Sequence, residues 1–247
     1  MRREVLVLAV VVTALLLYSG LAAAQETVGG EDATAASADE NISLWEMMKE
    51  GGAILYVILA LSVVTVILAL YLFLTVTPGR EVPANFVKRA HSQLRSGDLR
   101  GAYQMCEGRD ELVANVLRAG LKVSGHDRYV IQEAMESEGE RGAAVLWQRI
   151  SYLNNIGVIA PLLGLLGTVW GMMKAFGAIA YRAEAVKHLH MAAGVSKAMV
   201  TTFAGLIVAI AALVVYYFLR GRVIRVVSLV EALASEWVEI LSRRQES

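Results

Sequence analysis

The chain has 247 residues, 56% of them hydrophobic, and a mean hydropathy of +0.52. So apolar a composition excludes an ordinary soluble domain and points to a membrane protein. Lys and Arg number 23 and Asp and Glu 23, so the net charge is zero and no nucleic-acid partner is expected. Cys106 is the single cysteine, which excludes an intrachain disulfide and a thiolate metal cluster and leaves the role of a small buried hydrophobe.

Residues 1–24 read as a signal peptide. Arg2 and Arg3 supply a basic end, residues 5–18 an apolar run, and Ala22-Ala23-Ala24 the small-x-small pattern of a cleavage site before Gln25. The paired arginines lack the rest of a twin-arginine signal, so the general secretory route is expected. A retained membrane helix over 5–24 is the alternative. Residues 25–41 are small, acidic and Ala/Gly/Ser-rich, and are expected to form a flexible periplasmic tail. Residues 42–52 read as a short periplasmic amphipathic helix. Ser43 and Glu46 have capping-box spacing, Ile42, Trp45 and Met48 recur every three residues, and Trp45 suits the headgroup level. Asn41-Ile42-Ser43 matches a glycosylation sequon and is taken as chance.

Three uncharged or nearly uncharged stretches follow, at 53–76, 154–176 and 198–219. Each is long enough to cross roughly 30 Å of hydrocarbon. Pro78 and Gly79 end the first, and Pro161 is expected to kink the second. Between the first two lies a mixed-charge segment, 77–153, with helices expected over 82–95, 99–107, 111–122 and 128–153. Breaks are expected at Ser96-Gly97-Asp98 and Ser124-Gly125-His126. Val130, Ala134, Ala144, Trp147 and Ile150 are expected to form the packing face of the last helix, which is expected to run into the second span. Residues 177–197 are expected as a periplasmic loop, and 220–247 as a helix continuing the third span.

Basic residues near the span ends set the orientation. Arg80, Lys88, Arg89, Arg149, Arg220, Arg222 and Arg225 all fall on one side, and the acidic tail falls on the other. The mature N-terminus is therefore expected outside and the C-terminus inside. Lys174, Arg182, Lys187 and Lys197 run against this trend. The fold expected is an all-α membrane protein, with three transmembrane helices extended by cytoplasmic helices.

The second span carries small residues at Gly157, Pro161, Gly164, Thr168, Gly171 and Ala175, spaced four, three, four, three and four. That spacing keeps them on one helix face, where small side chains let backbones approach closely. Thr168 is the one hydroxyl on the stripe. In the third span Lys197, Thr201, Ala204, Val208 and Ala211 share a face, and Thr202 lies on the flank with Ala198, Gly205 and Ala209. Three threonines on two small-residue helices suggest a partly wet path, because hydroxyls hold water or a cation without net charge. Each also has a plain reading, a bond to its own helix carbonyl. Lys197, at the outer edge, also reads as an interfacial anchor. No Asp or Glu lies inside a span, so a proton path would need a carboxylate from a partner. His188 and His190 alone do not define a metal site, and no metal or cofactor is expected. No phosphate loop, zinc-protease motif or serine elbow is present, so no enzyme site is expected.

The sequence Ala160-Pro161 followed by Gly164-Leu165-Leu166-Gly167-Thr168-Val169-Trp170-Gly171-Met172 resembles the second span of the MotA/TolQ/ExbB proton channel family. Val195-Ser196-Lys197-Ala198 through Thr201-Thr202 and Gly205-Leu206-Ile207-Val208-Ala209-Ile210 resembles its third. The resemblance covers roughly residues 42–222 and is nearest the ExbB and TolQ branch. It implies an inner-membrane homo-oligomer, a pentameric ring around a dimer of ExbD- or TolR-like helices that carry the protonatable aspartate. Proton flow would drive force towards TonB- or Pal-type components. Thr168 and Thr202 match the family's polar threonines, Thr201 and Lys197 are secondary path candidates, and Gly157, Pro161, Gly164, Gly167, Gly171 and Gly205 are the helix-packing candidates. Lys197 stands where ExbB and TolQ usually carry glutamate, and Ala211 where a proline is common. A non-conducting scaffold and a sodium-driven stator are the alternatives.

Overall fold

A computed structural model describes residues 52–179 and 184–243, without the side chains of residues 52, 178–179, 184–193, 196 and 197. The expected signal peptide and tail, residues 42–51 of the expected amphipathic helix, and Arg182 therefore lie outside the described residues, as do the side chains of Lys187, His188, His190 and Lys197. Seven helices make up the described chain: α1 Gly52–Thr75, α2 Pro78–Glu81, α3 Ala84–Ser96, α4 Leu99–Cys106, α5 Leu112–Lys122, α6 Arg128–Ile179 and α7 Glu184–Arg243. Three of them, α1, α6 and α7, are long and apolar enough to cross a membrane. With 52 and 60 residues, α6 and α7 have more than twice the roughly 20 residues a bilayer needs. The connection expected as a loop at 177–197 is helical from Glu184 onward. No proline or cluster of turn residues interrupts Glu184 to Lys197, and Ala, Leu, Met and Lys favour helix there. The helical assignment of α6 passes through Pro161 unbroken.

The described residues divide into two compact units, 52–66 with 155–179 and 184–215, and 67–154 with 216–243. In the first, the buried line on α7 is Ala198, Thr201, Ala204, Val208, Ala209, Ala212 and Val215. Mostly small residues, they are spaced three or four apart except for the neighbours Val208 and Ala209, the period that keeps one helix face turned inward. Large apolar side chains such as Leu162, Leu165, Trp170, Phe203 and Ile210 point outward.

The second unit has a core of larger side chains. Phe86, Ala90 and Leu94 of α3, at i, i+4 and i+8, pack inward with Leu117, Ile131, Met135, Ile150, Leu219, Val223 and Trp237. Of the expected packing face of α6, Ile150 is buried, Ala134 and Trp147 are half-buried, and Val130 and Ala144 are exposed; Ile131, Met135, Leu146 and Leu153 are the other buried positions over 128–153. Ile131 and Met135 lie one residue, about 100° around a helix, from Val130 and Ala134, and the buried set carries the larger aliphatic side chains.

The two expected breaks sit at left-handed glycines. Gly97 has φ 88° and its N–H bonds Gln93 O, ending α3, while Asp98 accepts from the Gly101 N–H at 2.9 Å and starts α4. Gly125 has φ 111°. Two charged side chains fasten this unit from within. Glu81, buried, accepts from the Leu112 N–H at 3.1 Å and so caps α5 from 31 residues away. Arg222, also buried, lies 4.2 Å from the Phe73 ring centre and 4.8 Å from that of Phe218. It donates to the carbonyls of Phe73 and Val76 where α1 ends, at 3.2 and 3.4 Å. A cation there complements the helix C-terminus and stacks on aromatic faces.

Candidate functional site at the crossing of α6 and α7

Where α6 passes α7 the backbones come together at two glycines. A Cβ on Gly164 would lie 2.8 Å from Thr202 Cα and 3.0 Å from Thr201 O, and one on Gly205 would lie 2.6 Å from Ala160 O. Both obstacles are backbone, so neither can swing aside. Gly167 lies against the Thr201 side chain, Gly171 opposite Ala198, and Gly157 opposite Leu213. Pro161, half-buried, has no N–H to give the Gly157 carbonyl four residues earlier.

All three threonines donate to carbonyls. Thr202 Oγ1 crosses between helices to Gly164 O at 2.9 Å. Thr201, 2% exposed, donates to Ala198 O on its own helix at 2.7 Å, with Gly164 O as a longer alternative at 3.4 Å. Thr168 donates to Leu165 O at 2.7 Å, and its hydroxyl faces outward. Each hydroxyl has one hydrogen to give but keeps lone pairs that accept from water.

Gly164, Gly167, Thr201, Thr202 and Gly205 thus come together at one point. Thr168 does not join them. The buried line of α6 runs Gly157, Ala160, Gly164, Gly167 and Ala175. The expected stripe passes through Thr168 instead, which lies about 100° around the helix from Gly167. The smaller of the two takes the tight place. Lys197 belongs to α7 by its backbone alone, its side chain being outside the described residues.

Sequence reasoning missed two things here. It did not foresee that Thr201 is the deeper of the two α7 threonines. It also read Arg222 only as a charge that sets orientation. Phe218, four residues before Arg222 on the same helix face, is the signal that would have found the aromatic seat. Cys106 is fully buried, and that burial pushes its thiol up to about 11 against the opposing pull of Arg118 and Arg109. It is not a nucleophile at neutral pH.

Three apolar helices, two of them locked at a glycine crossing lined with hydroxyls, define a multi-span helical membrane protein with polar groups inside its helix contacts. Residues 108–232, half of the chain, match the MotA/TolQ/ExbB proton channel family, and the chain belongs to that family. It is similar to an ExbB homolog of Methanothermobacter thermautotrophicus, 27% identical over 72% of this chain and 63% of that one. It is similar also to the Tol-Pal system protein TolQ of Haemophilus influenzae, 36% identical over 36% of this chain and 39% of that one. The biopolymer transport protein ExbB of Salmonella typhimurium is 43% identical over 26% of each chain. These relatives set it in the ExbB/TolQ branch. In each case the match spans less than two thirds of the relative's own length.

Proposed function

We propose that this chain is the channel-forming subunit of an inner-membrane complex of the ExbB–ExbD or TolQ–TolR type. It uses the proton gradient to energise envelope transport or maintenance through a TonB-like or related component. Five copies close a ring around an ExbD/TolR-like helix pair, which brings the titrating carboxylate. After removal of residues 1–24 the N-terminus is periplasmic, and 77–153 and 220–247 are cytoplasmic. Thr168 and Thr202 line the ion path, with Thr201 and Lys197 beside it. Gly157, Pro161, Gly164, Gly167, Gly171 and Gly205 hold the helices close.

The observation that carries this reading is the placing of the two α7 hydroxyls, Thr201 and Thr202, at the glycine crossing with α6, while the Thr168 hydroxyl of α6 stands exposed nearby in the chain, three residues after Leu165 whose carbonyl it bonds. The spans hold no carboxylate of their own, so a proton passing there needs a partner's. Proton uptake into vesicles holding this protein and an ExbD-like partner tests it. Flux should require the partner and fall at least about tenfold in Thr168→Val, the loss expected when one polar relay group is removed. Full flux in Thr168→Val overturns the path.

A second reading has its own support. All three hydroxyls already spend their hydrogens on carbonyls, as purely structural threonines do. A non-conducting scaffold for an ExbD-like helix would show no flux from an intact complex. A sodium-driven stator would show flux that follows sodium rather than pH.

A further inference from the structure

His91 of α3 sits in a cluster to which the ion path assigns no task. Its Nε2 is buried without a hydrogen-bond partner, yet stands 3.5 Å from Glu236 Oε2 on α7. Arg95, one turn along α3, reaches the other oxygen of the same carboxylate at 3.9 Å. The imidazole meets the Trp237 ring edge-on, with centres 5.9 Å apart and planes at 89°. The indole Nε1 is likewise buried without a partner. Polar atoms left unpaired in a packed contact weaken it. One proton changes that balance. A neutral imidazole has a single N–H, whereas the imidazolium donates from both nitrogens and carries a charge that Glu236 complements.

We propose that His91, Glu236 and Trp237 form a pH-sensitive latch, in which protonation of His91 ties α3 to the end of α7. The groups that face the imidazole are Glu236 and Trp237 from α7 and Arg95 from its own helix. Lys88 and Arg89 on α3 and Arg100 on α4 are exposed, Tyr103 on α4 is half-buried, and Glu239 on α7 is paired with Arg243. Arg95 competes for the carboxylate but is 72% exposed at its side chain and the more distant partner. The His91 and Glu236 side chains are 23% and 44% exposed, so the latch is modest, worth about a two- to fivefold change in the closed population. It does not depend on ion flux.

Trp237 is the natural reporter, because an imidazolium against an indole quenches its emission more strongly than a neutral imidazole does. The chain has four tryptophans, so Trp45, Trp147 and Trp170 are replaced by Phe in the full-length protein in nanodiscs. Emission is then followed from about pH 8 to about pH 5.5, the span across which imidazoles titrate. Emission should fall on acidification and the fall should vanish in His91→Gln. In Glu236→Gln the fall should remain, but the two- to fivefold gain in amide-exchange protection of α3 and residues 231–243 should be lost. Emission that ignores pH, or a protection gain that survives Glu236→Gln, overturns the latch. Glu236→Gln decides the matter by itself if His91→Gln does not fold.

Discussion

The two units of this chain hold helices together by opposite means. At the α6–α7 crossing the contact is made by what is missing. Gly164 and Gly205 have no Cβ, Ala160 and Ala198 have little more, and hydroxyls bridge to carbonyls. In the other unit the contact is made by bulk: Trp237, Leu117, Met135, Ile150 and Phe86, fastened by a buried Glu81 and a buried Arg222. The difference is the one expected if the crossing lies in lipid and most of the other unit lies outside it. Lipid is as apolar as leucine, so burying a large side chain between spans gains little. Close backbone approach and hydrogen bonds must do the joining. Outside hydrocarbon, removing apolar area from water drives the association.

If that contrast holds, the costliest change lies in the second unit. Trp237→Ala removes the largest fully buried side chain and is expected to destabilise that unit by about 3–5 kcal/mol. Denaturant unfolding of the detergent-solubilised protein would reveal it, and a cost under about 1 kcal/mol would show that this core is not what holds the helices.

The first unit should break by addition rather than removal. Gly205→Ala places a methyl 2.6 Å from Ala160 O and is expected to cost about 1–3 kcal/mol. Gly221→Ala, with nothing within 4 Å, should instead gain about 0.5–1 kcal/mol from helix propensity. Thermal melts of the two variants side by side sharpen the comparison. Equal shifts would remove the crossing from the argument.

A smaller effect is expected where a charge caps a helix. Glu81→Ala leaves the Leu112 N–H unpaired and should cost about 1 kcal/mol, read as faster amide exchange in the first turn of α5. The smallest effect concerns Cys106. Its folded-state pKa of about 11 lies above the ordinary 9.0. The thiol therefore leaves stability untouched below pH 9.0, and lowers it only as the pH rises from there towards 11. At about pH 8 an alkylating reagent should label unfolded chain quickly and folded chain hardly at all. Rapid labelling of folded protein would contradict the burial.

Much of the fold was legible before any coordinates. Long uncharged runs can only be spans, and glycines at 97 and 125 mark breaks because a left-handed backbone needs them. Gly164 and Gly205 were legible as packing residues, since small residues in register on an apolar helix have few other uses. The rotation of α6 was not legible. Val130 and Ile131, or Gly167 and Thr168, point about 100° apart, and which of each pair turns inward depends on the neighbour that each side meets.

The sequence by itself determined that the chain is helical, crosses a membrane and belongs with the MotA/TolQ/ExbB channels, because composition, period and motif are properties of the chain alone. Only the tertiary structure decided that Thr201 is buried while Thr168 faces out, that Glu81 caps a helix 31 residues away, and that Arg222 sits between two phenylalanine rings. Those facts join residues far apart in the chain, and such contacts are fixed by how the helices settle against one another, which no local spacing records.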